Sequence, residues 1–429
     1  MATPARRCAY TVTRRVFERG AYTDHAFRAE AQRHDLGSRD RAFAMRLSYG
    51  VVQRLRTLDH VLQLLSDRAV GDLDPEVIAA LRLGAYQLLY MDGVADHAAV
   101  TESVDLAKTA GSRGHGLVNA VLRRTAREGG AVLAQLDDAT PAAAALLHSH
   151  PDWVAELWWD QLGPEAARGL MAADNEAAES TARVNTLRAN VGDVLSQLAQ
   201  AGVEAARDPD LPEAVVLEQP YDLHGSELFA RGALMPQSRA SIMVARAVDP
   251  APGERVLDLC AAPGAKTTHL AALMEGEGRV VAVELDPRRA RDVTRNAERL
   301  GAANVEVVVG DAAEAGFGTG FDRVLADPPC SDLGTLRSRP DARWRKSPGQ
   351  VAELAALQGR ILDAAVQALR PGGRLVYSTC TVSPQENEHQ ATALTERHPG
   401  LEASDRPVVQ TLPHRDRTDG FFIATFDKT

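Results

Sequence analysis

Two of the four cysteines sit in the same kind of place. The stretches ADPPCSDLG (326–334) and LVYSTCTVS (375–383) each set a thiol, Cys330 and Cys380, just past a short β-rich run. A partly exposed thiol with a lowered pKa is a nucleophile for covalent catalysis; a buried one is a small, inert hydrophobe. The other two, Cys8 and Cys260, are scattered, and no pair has the CxxC spacing of a zinc site. Neither a disulfide frame nor a metal is expected, and free thiols point to the cytoplasm.

A third stretch, VLDLCAAPGAKTTHLA (256–271), reads as a strand, a turn of small residues and the start of a helix. Small side chains at 261–265 let the backbone approach a ligand that faces the helix N–H groups. Glu284 ends the next strand, 20 positions after Gly264, where a carboxylate can hold ribose hydroxyls. Asp311 and Asp327 end two further strands. Neither GxGxxG nor GxxxxGK[ST] is present, which disfavours NAD and ATP. Three acidic strand ends around one bare turn indicate a nucleoside cofactor beyond the carboxyl edge of a sheet.

The elements that must position these residues follow from residue 246 onward. ERVLDL, RVVAVE, VEVVVG, FDRVLAD and GRLVYST are short β-rich runs, separated by helical stretches such as PRRARDVTRNAERLG. That alternation predicts an α/β, Rossmann-like domain with a mostly parallel, doubly wound sheet over 246–429. Residues 1–128 place apolar residues at helical spacing throughout and predict an all-helical domain whose last helix, GLVNAVLRRTARE, ends near Glu128 before a Gly-Gly pair. Residues 129–245 read as a small α/β connector, with strands in TARVNTLRA and EAVVLEQ and a helix in VGDVLSQLAQAG. Trp153, Trp158 and Trp159 lie on an amphipathic helix as packing anchors.

The net charge of −10 argues against non-specific nucleic-acid binding by the whole surface. Its distribution is uneven, since residues 1–60 carry 12 arginines against 6 acidic residues. A basic end on an acidic chain suits a nucleic-acid partner, or else a solvated arginine face. No apolar run is long enough to span a membrane, and no secretory leader is expected in MATPARRCAY.

The stretches LDLCAAPGAKTTHLA, ADPPCSDLGTLRSRPDARW and LRPGGRLVYSTCTVSPQENE resemble the S-adenosylmethionine-dependent RNA cytosine-5 methyltransferases. The front, with HAAVTESVDLAKTAG and GLVNAVLRR, is similar to the RNA-binding fold of the antitermination factor NusB. The combination resembles the bacterial methyltransferases of 16S ribosomal RNA and covers nearly the whole chain. The fold implied is a class I methyltransferase domain behind a connector and a NusB-like domain. The terminal DGFFIATFDK matches the family's last strand.

The resemblance implies S-adenosylmethionine as cofactor. Cys260, Ala261, Ala262, Pro263, Gly264, Ala265 and Lys266 would cradle it, with Glu284 on the ribose, Asp311 near the adenine and Asp327 facing the donor or the cytosine. Ala265 departs from the glycine usual there, and a methyl group fits only if φ is negative. Lys266 is one of four lysines beside 44 arginines. For the thiols, the DNA enzymes use a Pro-Cys cysteine, which would select Cys330 as nucleophile. The RNA enzymes use a Thr-Cys cysteine, which selects Cys380 and leaves Cys330 to assist adduct release. The surrounding residues are of the RNA type, so Cys380 is taken as nucleophile. The segment LGTLRSRPDARWRKSP (333–348), with Arg337, Arg339, Arg343, Arg345 and Lys346, reads as a loop that tracks RNA phosphates over a flipped base. The implied partner is RNA, 16S ribosomal RNA ahead of transfer RNA, for a monomer without metal or membrane. A non-catalytic assembly factor is the rival, and the retention of Cys330, Cys380 and Asp327 speaks against it.

Overall fold

The computed structural model describes residues 1–111, 113–219, 221–314 and 316–429. They fall into two compact units, one of residues 1–177 with 336–345 and one of residues 178–335 with 346–429. The division after Ala177 runs through the span 129–245 read as one connector.

In the first unit, helices Pro4–Arg19, Thr23–Arg33, Ser38–Gln53, Leu55–Leu65, Pro75–Tyr90, Asp96–Thr109 and His115–Leu133 follow the apolar periodicity. They bury Leu47, Leu58, Leu62, Leu81, Leu83 and Leu122 in a shared core. The last helix does not stop near Glu128 as expected; it runs through Gly129 and Gly130 to Leu133. Gly129 is there for close packing, because a Cβ on it would come within 2.8 Å of Leu89 Cδ2. Helices Pro141–Leu147, Asp152–Leu162 and Pro164–Ala173 complete the unit. Trp158 is fully buried with its ring edge-on to His150, a packing anchor as expected.

The segment 336–345 corrects the reading of an RNA-tracking loop. Arg343 is fully buried and donates to the carbonyls of Gln53 (3.2 Å), Ser149 (3.0 Å) and Asp174 (2.9 Å) and to Asn175 Oδ1 (3.1 Å). Arg345 donates to Asp341 Oδ2 at 2.6 Å and to the Gly20 carbonyl at 2.8 Å, and its guanidinium lies over the Tyr22 ring. Trp344 Nε1 donates to the Val52 carbonyl at 2.8 Å, and Arg337 donates to the Ala177 carbonyl. Arg343 and Trp344 satisfy backbone oxygens that would otherwise be buried without partners, and Arg337 and Arg345 tie down neighbouring carbonyls, so these four side chains serve the fold.

The second unit holds two sheets among the described residues. Strands β1 (Thr181–Val184), β2 (Ala205–Arg207), β3 (Ala214–Leu217) and β4 (Leu234–Pro236) form an antiparallel sheet in the order β2-β3-β1-β4, with helix Val191–Gln200 packed on it. β1, β3 and the helix are where the sequence places them; β2 and β4 have three residues each, too short to show a period.

The larger sheet contains β5 (Arg255–Leu259), β6 (Arg279–Glu284), β7 (Val305–Val309), β8 (Phe321–Ala326), β9 (Leu369–Thr379), β10 (Leu401–Ala403), β11 (Val409–Gln410) and β12 (Phe422–Lys428). Its order is β10-β12-β9-β8-β5-β6-β7, with β11 paired to β12. The pairs from β9 through β8, β5 and β6 to β7 are parallel, and β12 is antiparallel. Alternate residues feed cores on the two faces, Leu257 and Leu375 on one and Val256 and Val376 on the other. Strand order reverses between β5 and β8, the switch point beyond which ligands bind in such sheets.

Candidate active site

The parallel register brings the ends of β5, β6, β8 and β9 to one edge, and with them most of the residues singled out in the sequence. After β5 the chain turns through Cys260 (φ 66°) and Gly264 (φ 97°) into helix Ala265–Leu273. The turn is held by Ala261 N–H to the Val283 carbonyl (2.9 Å) and Gly264 N–H to the Ala261 carbonyl (2.8 Å). Ala265 is the first helical residue, where φ is negative and its methyl group is accommodated. Burial pushes the Cys260 thiol far up, so it is inert as a nucleophile and serves the turn.

Beneath the turn, Asp258 is buried and accepts the Thr267 hydroxyl at 2.6 Å. Burial, with the nearby carboxylates Asp327 and Glu284, pushes its carboxyl up to about 7 against the pull of Thr267 and Lys266. Glu284, closing β6, accepts the Ala262 N–H at 3.3 Å and the Asp286 N–H at 3.1 Å. Asp311 lies just beyond β7 and accepts the Ala313 N–H at 2.9 Å. Asp327, just beyond β8, takes Lys266 Nζ on one oxygen (2.6 Å) and the Ser378 hydroxyl on the other (2.7 Å). Burial alone would lower the Lys266 ammonium, but Asp327 more than offsets this, so it stays charged. It also lies 5.1 Å from the centre of the Phe421 ring.

This edge fits S-adenosylmethionine. Alongside a carboxylate, the ligand brings a sulfonium, an ammonium, ribose hydroxyls and an adenine amine, which call for acceptors. The site offers the acceptors Glu284, Asp311 and Asp327 around a turn with no side chain at Gly264.

The two thiols meet beyond β8 and β9, with Cys330 Sγ 3.3 Å from Cys380 Sγ. Cys330 is buried and Cys380 is half-buried. Their loops are tied together by groups to which the sequence reading gave no role. Glu386, fully buried, accepts the backbone N–H of Ser331 at 2.9 Å and also the Ser331 hydroxyl. Thr381 Oγ1, next to Cys380, lies 2.6 Å from that hydroxyl. Gln358 donates to Glu386 (3.1 Å) and to the Pro329 carbonyl (2.9 Å). Asn387 donates to the Thr381 carbonyl at 3.0 Å, and Gly334 N–H to the Cys380 carbonyl at 3.0 Å. Burial pushes the Glu386 carboxyl up, against the bonds from Ser331 and Gln358. The signal was present in SPQENE, an acidic and amide cluster directly after Cys380, but its inward direction is not written in the residue types. Asp332, whose Oδ1 accepts from Cys380 Sγ at 3.2 Å, was likewise passed over.

The chain matches known families over three segments. Residues 3–127 match the NusB family, 150–224 the RsmF/B-like methyltransferase ferredoxin-like domain, and 245–427 the 16S rRNA methyltransferases RsmB/F. It is 36% identical to a probable ribosomal RNA small subunit methyltransferase B of Synechocystis, over 99% of both chains. It is 36% identical to ribosomal RNA small subunit methyltransferase B of Vibrio cholerae, over 93% of this chain and 92% of that one. Among solved structures, the crystal structure of PH0851 covers 100% of both chains at 28% identity with a TM-score of 0.84. A methyltransferase homolog protein from Pyrococcus horikoshii, at 29% identity and a TM-score of 0.61, covers 67% of this chain and 99% of that one. No helix among the described residues is long and apolar enough to cross a membrane. The chain belongs to the RsmB/F family of S-adenosylmethionine-dependent ribosomal RNA small-subunit methyltransferases.

Proposed function

We propose that this enzyme methylates C5 of a cytosine in 16S ribosomal RNA through a covalent adduct between Cys380 and C6 of the ring. The observation that carries the reading is the pair of thiols 3.3 Å apart at the ends of adjacent parallel strands, beside the cofactor turn. C5 of cytosine is too poor a nucleophile to accept a methyl group unaided. A thiolate added to C6 pushes electron density to C5, which is then able to attack. The Cys260–Lys266 turn would hold S-adenosylmethionine, with Glu284 on the ribose hydroxyls and Asp311 toward the adenine, and the bound cofactor would supply an electrophilic methyl group. Asp327, pinned by Lys266 and Ser378, faces the cytosine and stabilises the charge that develops on the ring. A base then removes the C5 proton, the freed pair restores the C5=C6 bond, and the Cys380 sulfur leaves with assistance from Cys330. Residues 1–128, with their excess of arginine, bind the RNA.

The two thiols should fail differently when removed. Cys330→Ala should accumulate a denaturant-resistant protein–RNA adduct, seen as a shifted band on a denaturing gel. Cys380→Ala and the double variant should form none. An adduct from Cys380→Ala and none from Cys330→Ala would reverse the assignment. Bisulfite sequencing of 16S and transfer RNA, with and without the gene, identifies the substrate.

A further inference from the structure

Asp332 has no part in the scheme above, yet it is the carboxylate that touches the proposed nucleophile. It stands two residues past Cys330 with φ at 61°, a left-handed conformation that Asp adopts more readily than most side chains. Such backbone persists where its surroundings hold it, and it gathers at functional sites. Here it directs the carboxylate at the thiol, with Oδ1 accepting from Cys380 Sγ at 3.2 Å. The two sulfurs and one Asp332 oxygen all lie within 4.8 Å of one another. Lys266, a cation near Cys380, is already paired with Asp327 at 2.6 Å. Lys346, on the Cys330 side, donates to the Cys330 carbonyl at 3.4 Å.

We propose that Asp332 is the general base of the attack, taking the Cys380 thiol proton as the sulfur bonds to C6 of the cytosine. This rests on the reading of Cys380 as nucleophile. In the step the Sγ–H bond breaks and the proton passes to the Asp332 carboxylate. The sulfur's pair forms the Sγ–C6 bond, and the C5=C6 π pair moves onto C5 and into the ring. When Sγ–C6 later breaks, its pair returns to sulfur, which recovers the proton from Asp332. An ordinary thiol is mostly protonated at neutral pH, so an acceptor already on the S–H spares the enzyme a wait for hydroxide.

The test uses Cys330→Ala in the full chain, which keeps the nucleophile and stalls release. Asp332→Asn keeps the shape of the side chain, and Asp332→Gly suits the backbone, so both should fold. Each is added to Cys330→Ala, and the rate of adduct formation with transcribed 16S RNA is followed as a function of pH. At neutral pH both should form adduct about 10²-fold more slowly, the lower range for a positioned general base. The deficit should shrink as pH rises through the ordinary thiol range, where the thiol ionises unaided. Unchanged or faster adduct formation overturns the proposal, because the carboxylate then only opposes the thiolate's charge. A deficit that is the same at every pH also overturns it, leaving Asp332 a positioning residue. No adduct from Cys330→Ala with Asp332 intact overturns the nucleophile assignment and this step with it.

Discussion

Replacing Arg343 with alanine tests whether the arginines of 336–345 serve the fold or the RNA. The guanidinium donates to four oxygens at 2.9–3.2 Å, three of them backbone carbonyls, from Gln53, Ser149, Asp174 and Asn175. Burial lowers its pKa only to about 10, so it is charged at neutral pH and holds those oxygens with charge-assisted bonds. Each acceptor left without a donor costs about 1 kcal/mol, or about 4 kcal/mol together. The assay is urea unfolding of the full chain followed by circular dichroism, reading the transition of the helical unit. RNA affinity is measured in parallel on the folded variant at several salt concentrations. Stability should fall by about 4 kcal/mol while the salt slope stays unchanged, since a buried arginine releases no counterions. A loss under about 1 kcal/mol together with a slope reduced by about one would refute the structural role and restore the phosphate contact.

Other perturbations test the catalytic unit. Glu386→Gln replaces one of two acceptor oxygens with an NH2 that faces the donors of Ser331 or Gln358; it should cost about 1–3 kcal/mol and slow adduct formation in Cys330→Ala, and a variant unchanged on both counts would show that Glu386 does not hold the two cysteine loops together. Asp258, raised from 3.8 to about 7, stabilises the fold while protonated and loses that contribution as pH rises from about 4 through about 7. Asp258→Asn stays neutral, so its stability relative to the parent should increase over that window by at most ~4 kcal/mol, whereas a constant difference between acidic and neutral urea titrations would place Asp258 at an ordinary value. Glu284→Ala should weaken S-adenosylmethionine binding by about 1–3 kcal/mol, and calorimetry giving an unaltered Kd would remove Glu284 from the ribose.

Much of the catalytic unit was legible because its rules are local. Runs such as RVVAVE and the VLA of FDRVLAD are buried, so they read as apolar strand segments and appear in β6 and β8. Once strands and helices alternate, the strands run parallel, and parallel strands end on one edge. Glu284, Asp327, Cys330 and Cys380 therefore fall on one edge by the order of the elements alone. The helix through Gly129 was misplaced because a Gly-Gly pair reads as a boundary unless the Leu89 side chain it admits is seen.

What the sequence determined by itself was the order of elements, the edge that carries the chemistry and the two thiols on it. What only the tertiary structure decided was the direction of each polar side chain. An arginine-rich segment looks the same whether it faces phosphate or the interior. The difference lies in acceptors such as Gln53, Ser149 and Asp174, which are distant in the chain and brought to Arg343 only by folding. The directions of Glu386 and Asp332 likewise appear only on folding, which surrounds the first with Ser331 and Gln358 and sets the carboxylate of the second on Cys380. A charge can be buried only where partners from elsewhere in the chain converge on it, and that convergence is non-local information.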